Sequence, residues 1–498
     1  MARTKNEKRP GHGRILETWE APDDAGVPIG CLATSFTFSS VFFEEECLSR
    51  FLGLESDLEE DGPLYVVERE EKLAQVICAA ALVDQHHCRG ARSLRWDLLP
   101  VRYPQGILHA KVSLLCWSEH VRIVVGSANL TEDGYRRNLE VYGVLDYHLG
   151  GEAPLGCLHA TTTFLQQIAR YTLVEPSRDS GPVARVLRLL ERVADTPATW
   201  GREDDAYRPN EIRVFPVFVG PGMESALQSL SRLWPGTFPP KWGIVLSPFF
   251  DPPNSRNEPA EQLWAMLRKR GEARIEFRTT AEEIPGTESF FIHAPESLKM
   301  AQPQGRPEVS TDFCRVATEG SRPLHAKMIS LKDDRWMLET IGSSNFTTAG
   351  LGLSEHTNLE ANLAYLVDCD RNPQGEKSIR NAFPKSIELD AEKGVKWQTA
   401  PQVHQDLPAE ELPLPTFFDT ATFNTLSKTT ATVTFTFVGT PPSEWRIVND
   451  EDGAEFVTEF EWMQKGKPHS ISSEWRHSPA IWFLGQMGRR GWTGLVAG

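Results

Sequence analysis

The sequence predicts an α/β protein of two related lobes followed by a small C-terminal β-rich domain, and three observations lead there. First, a pattern recurs. Leu108-His109-Ala110-Lys111 is followed by Gly126-Ser127-Ala128-Asn129, and Leu324-His325-Ala326-Lys327 by Gly342-Ser343-Ser344-Asn345. In each copy the Asn stands twenty positions after the His, and the two histidines are 216 residues apart. One His-x-Lys among 13 histidines would mean little, but residue types returning at fixed offsets mark a duplicated unit. Second, short apolar runs of strand character alternate with helical patterns on both sides of the chain's middle, as in α/β lobes. Third, the composition changes after about residue 386, where Pro and acidic residues precede a cleanly alternating segment.

The elements follow in order. Residues 1–26 open with a basic stretch, Met1 to Pro10, that lacks the apolar core of a signal peptide and reads as a flexible tail. The first lobe is expected over 27–172. Its Cys31-to-Phe38 run reads as a strand, and Ser39-Ser40 precedes an amphipathic helix over 41–53. Further strands are expected near 64–68, 75–83 and 94–98, then at Val112 to Leu115 and Val121 to Val125. Residues 173–210 form a linker region in which Val183 to Val193 has helical periodicity. The second lobe, 211–385, repeats the theme. Trp242 to Phe250 reads as a strand whose Ser247-Pro248-Phe249-Phe250 corresponds to Ser35-Phe36-Thr37-Phe38. A helix over 259–270, a strand at Ala273 to Arg278 and a looped stretch to 320 lead to the second motif, with a strand at Trp336 to Ile341 behind it. Residues 386–415 are a linker and 416–498 a β-rich domain of sandwich type, with strands at Ala431 to Phe437 and near 455–463 and 479–484. Its Trp445, Trp462, Trp475, Trp482 and Trp492 would either stack on bases or fill a small core, and core filling is the stronger expectation.

Composition narrows the classes. A chain of 498 residues is too long for one ordinary core. With 40% hydrophobic and 24% charged residues it has the balance of a soluble globular protein, and no apolar run approaches the length of a membrane span. The net charge of −16 argues against non-specific coating of nucleic acid and against anionic lipid surfaces. A locally basic groove still suffices where a few phosphates are contacted. The eight cysteines fall mostly in apolar segments with no Cys-x-x-Cys pair, so they are expected as reduced core residues of a cytoplasmic protein.

On an extended segment, residues two apart share a face, so His109 faces with Lys111 and His325 with Lys327. The following strand ends in Gly-Ser-x-Asn, where a tight turn can bring an amide and a hydroxyl to the same edge. Each half thus offers an imidazole, an ammonium, an amide and a hydroxyl, a nucleophile or acid among donors for an anionic tetrahedral group. Lys111, Lys327, Asn129 and Asn345 would offset the charge of a phosphodiester. Ser127 and Ser343 would add hydroxyl contacts to the phosphate. One His must be neutral to attack and the other protonated to donate. No metal and no cofactor are expected, because the clusters lack His-x-x-His or carboxylate spacing. His86-His87-Cys88 reads as an exposed loop cluster. Asn138-Leu139-Glu140 and Asn358-Leu359-Glu360 also repeat; taken alone, Glu140 and Glu360 would be solvated charges at strand starts.

This paired arrangement resembles the phospholipase D superfamily, over residues from about 27 to 385. The resemblance implies two phospholipase D-like lobes with the active site between them and a metal-independent reaction through a phosphohistidine. It implies His109 as nucleophile, His325 as the acid for the leaving group, and Glu140 and Glu360 as supports for the histidines. The usual motif has an Asp five residues after the Lys; here those places hold Cys116 and Lys332, with Asp333 adjacent. His-x-Lys and Asn without that Asp is similar to the tyrosyl-DNA phosphodiesterases and related nuclease-type members rather than to the lipases. The implied activity is hydrolysis of nucleic-acid phosphodiesters, as a nuclease or end-processing enzyme, with DNA favoured over RNA. A helicase or another defence or repair partner, and no membrane, are family-level implications. Two alternatives stand beside it: a phospholipase or phosphatidyltransferase, and a non-catalytic nucleic-acid-binding subunit.

Overall fold

The computed structural model forms two compact units, residues 1–402 and 403–498. It describes residues 14–398 apart from 57, 89–95, 174–180, 204–207, 209, 254–255, 288, 318–321 and 390–393, and beyond these 417–427, 430–437, 441, 445–449, 455–475, 481–487, 490–491 and 495–496.

Two sheets dominate the first unit. One has six strands, β1 (Pro28–Ser35), β2 (Cys78–Asp84), β3 (Asp97–Val101), β4 (Val112–Trp117), β5 (Val121–Gly126) and β6 (Tyr142–Tyr147), in the order β3-β2-β1-β4-β5-β6. The other has eight, β7 (Arg213–Val219), β8 (Trp242–Leu246), β9 (Ala273–Thr279), β10 (Val309–Val316), β11 (Met328–Lys332), β12 (Trp336–Gly342), β13 (Glu360–Asp368) and β14 (Ser386–Glu388), in the order β14-β10-β9-β8-β11-β12-β13-β7. Without its two edge strands, the second sheet repeats the first in order and in direction. Three parallel strands come first (β3, β2, β1 and β10, β9, β8). Three antiparallel ones follow (β4, β5, β6 and β11, β12, β13). The parallel strands are covered on both faces, which is why β2 reads Cys-Ala-Ala-Ala-Leu-Val-Asp and is buried throughout.

One apolar cluster runs from the first sheet into the second. Helices α1 (Pro63–Leu73), α2 (Leu155–Ala169) and α3 (Pro182–Ala194) belong to the first half. Residues of α2 and α3 join Leu114 and Ile123 of the first sheet in a continuous cluster with Leu246, Met328, Ile341 and Leu363 of the second. On α3 the buried positions Val183, Val186, Leu189, Leu190 and Val193 recur at helical spacing, and Pro182 opens its first turn. Each such buried aliphatic contributes roughly 1.5–3 kcal/mol, which fixes α3 against the first sheet.

Several expectations shift. Residues 64–68 are helical, not a strand. Pro63 stands at the first turn of α1, and Lys72 pairs with Glu68 one turn away. Leu64, Val66 and Val67 remain exposed. The strand expected at 94–98 begins at Asp97. The looped stretch before 320 contains β10, hidden by its half-exposed Ser310, Thr311 and Asp312. The strand from Trp242 stops at Leu246, and the helix expected over 259–270 spans Glu258–Met266. Ile15–Trp19 is a short 3-10 turn with Trp19 fully buried, so the packed chain begins well before residue 27. The described start of the linker expected at 386–415 carries β14 and the short strand Val395–Trp397, and residues 399–415 lie outside the described ones.

The second unit contains a three-stranded sheet (Phe418–Ser427, Thr430–Phe437, Ser470–Trp475) and a five-stranded one that includes Trp445–Asn449 and Ile481–Met487. Near 455–463 the strand Glu455–Thr458 gives way to a helix, Glu459–Gln464, capped by Thr458. Trp445 and Trp462 are buried with Phe417, Phe435 and Phe437 in its core. The side chains of Trp475, Trp482 and Trp492 lie outside the described residues.

Candidate active site

His109-Ala110-Lys111 leads into β4, and Gly126-Ser127-Ala128-Asn129 begins where β5 ends; His325-Ala326-Lys327 and Gly342-Ser343-Ser344-Asn345 do the same for β11 and β12. The halves then cross. Leu108 forms a parallel bridge with Leu359, and Leu139 with Leu324. The His109 amide donates to the Leu359 carbonyl and the His325 amide to the Leu139 carbonyl, both at 3.0 Å. Each histidine therefore lies against the carboxylate of the opposite half. His109 Nδ1 is 2.9 and 2.8 Å from the two oxygens of Glu360. His325 Nδ1 is 2.7 and 2.9 Å from those of Glu140. An Nδ1–H donated to a carboxylate leaves Nε2 as the free, basic nitrogen of each ring.

The carboxylates are themselves fixed. Ser127 donates to Glu140 and accepts from the Val141 amide at 2.9 Å. Ser343 donates to Glu360 at 2.5 Å and accepts from the Ala361 amide at 2.9 Å. The side-chain amides of Asn138 and Asn358 donate to the same carboxylates, at 3.3 and 3.1 Å. The serine hydroxyls, expected against a substrate phosphate, are thus spent on the carboxylates, since a hydroxyl has one proton to give. The glycine before each serine permits this. A Cβ on Gly126 would stand 2.7 Å from the Val141 carbonyl, and on Gly342, at φ +153°, 2.3 Å from that of Ala361.

Lys111 and Lys327 each donate to the carbonyl of their own motif's histidine, at 2.6 Å. Both ammoniums are buried, and each acts electrostatically on the histidine of the other motif, so the two motifs meet at one centre. Burial lowers the His109 pKa to about 4; the Glu360 charge opposes that shift and the lysines assist it. Burial lowers His325 as well. Lys327 is brought down to about 8 by burial, and Lys111 is lowered by burial and by Lys327. For Glu140 and Glu360 burial pushes the pKa up, but the facing histidine, the lysines and the serine donor outweigh it and keep both carboxylates ionised. Burial thus favours the neutral form of both imidazoles, each held on an ionised carboxylate with a buried lysine close by.

Asn129 turns its amide oxygen to the backbone amides of Phe36 and Thr37, at 3.2 and 3.4 Å, which leaves its NH₂ as a donor. The equivalent oxygen of Asn345 is buried with no partner among the described residues. Pro248 stands where the first half has Phe36, and a proline has no N–H to give.

The residues that replace the usual motif Asp lie elsewhere. Cys116 is in the core, Lys332 pairs with Glu376 at 2.6 Å, and Asp333 accepts from the amides of Arg335 and Trp336 in the β11–β12 turn. One neighbour of the site escaped sequence reasoning. Asp84, 2% exposed at the end of β2, accepts the Leu108 amide at 2.9 Å and pairs with His86. Its signal was an acid ending an otherwise wholly apolar strand. His87 is not an exposed loop residue either: it is buried, 4.3 Å from the Phe36 ring, and that ring lies 5.5 Å from His109.

No family model matches the chain, and no curated protein matches it. Similar solved structures include yeast tyrosyl-DNA phosphodiesterase, 12% identical over 69% of this chain and 84% of that one, with a TM-score of 0.42. A mutant of the same yeast enzyme is 13% identical over 72% of this chain and 85% of that one, with a TM-score of 0.44. Polyphosphate kinase from Porphyromonas gingivalis is 11% identical over 76% of this chain, with a TM-score of 0.34, and only 46% of the kinase is spanned. Scores this low carry no functional weight, and the chemistry that follows rests on this chain's own residues. Among the described residues no helix is long and apolar enough to cross a membrane.

Proposed function

We propose that this chain is a phosphodiesterase of phospholipase D-like type that hydrolyses nucleic acid, DNA first of all, without a metal. The observation that carries the proposal is the crossed pair of buried His–Glu contacts, His109 with Glu360 and His325 with Glu140, beside Lys111 and Lys327. In the first step His109 Nε2 attacks phosphorus while the bond to the leaving oxygen breaks, and that oxygen takes a proton from His325. In the second, water attacks phosphorus, gives its proton to His325, and the P–N bond breaks to restore His109. Glu360 holds the nucleophile in the tautomer that keeps Nε2 unprotonated, and Glu140 orients the acid. Arrival of the anionic diester favours the protonated form of His325 that the first step needs. The lysine ammoniums and the Asn129 NH₂ offset the charge that builds on the phosphoryl oxygens.

The test is cleavage of end-labelled single- and double-stranded DNA in EDTA by the wild type and by His109→Ala. Cleavage that survives chelation and disappears in the variant supports the proposal. Cleavage abolished by EDTA, or unchanged in His109→Ala, refutes the mechanism.

A further inference from the structure

A cavity of about 270 Å³ opens along the seam between the lobes, and none of the residues proposed for the reaction lines it. That is just below the roughly 300–1,000 Å³ of ordinary ligand sites. It adjoins the crossed pairs. Thr357 in its wall stands three residues before Glu360, and Gln105 stands four before His109. Val219, also in the wall, is the cross-strand partner of Glu360. Four residues span at most roughly 14 Å, so a short stretch of nucleic acid held at the histidines can reach it.

A difference between the halves accompanies this opening. Arg322 stands 216 residues after Gly106. Its guanidinium donates to the carbonyls of Arg137 and Asn138, at 3.1 and 2.8 Å, and so occupies the seam on its own side. On the other side the chain passes as Gly106, so close that a Cβ would stand 2.3 Å from the Thr357 carbonyl. No long side chain can occupy the seam from there.

The lining describes the guest. Tyr103 is only 4% exposed, yet among the described residues its hydroxyl has no hydrogen-bond partner. Gln105 adds an amide, Val219 and Met223 add apolar surface, and Glu355 is the one charged side chain among the described lining residues. Among the described residues no ion pair is formed by Glu355, and such a carboxylate repels phosphate and accepts N–H donors. A flat, uncharged group with an amino edge and a hydrophobic face fits these terms, and nucleobases are such groups.

We infer that this cavity receives an unstacked nucleobase of the strand whose phosphodiester lies at His109 and His325, with Glu355 accepting from the base's exocyclic amino group. Adenine, cytosine and guanine are then preferred over thymine and uracil. The inference rests on the nucleic-acid reading of the site. Its test is ligand-detected NMR titration of the full chain with cytidine, guanosine, adenosine and thymidine, using the wild type and Glu355→Gln. Hydrolysis of bis(p-nitrophenyl) phosphate, which carries no base, is measured in parallel. The expected result is binding of the three amino nucleosides, thymidine weaker by about tenfold, and a similar loss of the preference in Glu355→Gln, while hydrolysis of the baseless diester is unchanged by that substitution. Equal or absent binding of all four nucleosides by the wild type, or a preference that Glu355→Gln leaves intact, overturns the inference. A wild type that binds nucleosides but hydrolyses no diester leaves the cavity standing and counts against the reaction instead.

Discussion

The two halves of the first unit share a strand order, a pair of motifs and a mirrored exchange of carboxylates, yet they part company wherever a side chain meets the rim of the site. At the centre the match is nearly atom for atom: His to the opposite Glu, Ser to its own half's Glu, Lys to the carbonyl of its own His. Around it the first half has Phe36 5.5 Å from His109, with a buried His87 against that ring, whereas the second presents Phe249 6.4 Å from His325. The first half has Gly106 at the seam and the second Arg322. The geometry is repeated where charge must be buried, because a carboxylate as enclosed as Glu360 is tolerable only with every partner in place. It diverges at the rim, where the proposed reaction would give the two halves different work, one ring to attack and the other to protonate.

The sharpest way to break this comparison is to remove each ring in turn. His109→Ala should lower the rate by about 10⁴-fold or more on any substrate, since nothing else can form the covalent bond. His325→Ala should cost about 10²–10⁴-fold on DNA, but far less on bis(p-nitrophenyl) phosphate, whose leaving group needs no proton. Single-turnover rates on the two substrates measure this. If His325→Ala instead abolishes both reactions and His109→Ala spares the aryl ester, the roles are reversed.

The carboxylates come next. Glu360→Gln and Glu140→Gln keep the shape but present an amide where the Nδ1–H is accepted, with an expected loss of about 10²–10⁴-fold. Because the pairs cross, Glu360→Gln should behave like a weakened His109 variant and Glu140→Gln like a weakened His325 variant. The discriminating measurement is again the leaving-group dependence. A pattern in which each Glu tracks the histidine of its own half would contradict the crossing.

Much of this centre was legible in the sequence. The paired motifs pointed to both histidines, both lysines and both asparagines, and the family resemblance, applied to the repeated Asn-Leu-Glu, pointed to the two carboxylates. The crossing was not legible, because nothing in the local pattern says which Glu faces which His; that follows from the Leu108–Leu359 and Leu139–Leu324 bridges, a long-range pairing. The serine contacts were not legible for a similar reason, since a hydroxyl that faces a ligand looks the same in sequence as one turned back on a carboxylate. In the fold, strands buried on both faces stood out by continuous apolarity. The strand β10 did not, because three of its central residues are polar and half-exposed, and α1 was missed because Leu64-Tyr65-Val66-Val67 outweighed the Pro63 start signal.

A smaller effect separates the halves in stability. In the first sheet Leu114 pairs with Ile123; at the same offset the second pairs Ser330 with Glu339. Glu339 is 4% exposed, and burial pushes its pKa up to about 7. A carboxyl whose folded pKa lies above its unfolded one contributes most below the unfolded value, near 4.5, and that contribution is lost as the pH rises to about 7. The loss amounts to about 3 kcal/mol at most, from 1.36 kcal/mol per unit. Glu339→Gln should therefore raise the melting temperature at pH 8 and leave it nearly unchanged at pH 4, as read by calorimetry at the two values. A substitution equally stabilising at both would show that Glu339 titrates normally in the fold.

The smallest expected difference lies at Pro248 and Phe36. In the first half the Phe36 amide satisfies the Asn129 oxygen; in the second the proline leaves the Asn345 oxygen bare. Pro248→Ala restores a donor but releases a rigid ring in the unfolded chain, which costs about 0.4–1 kcal/mol, so the two nearly cancel and the net change should stay within about 1 kcal/mol. Phe36→Pro does the reverse, and the rigidity it adds offsets only part of what it removes. It takes one amide from the Asn129 oxygen and strips away the ring beside His109, with an expected cost of about 1–3 kcal/mol. Denaturant midpoints of the two variants measure the contrast. If Pro248→Ala proves as costly as Phe36→Pro, the bare Asn345 oxygen is not waiting for that amide, and the asymmetry at this pair of positions has another cause.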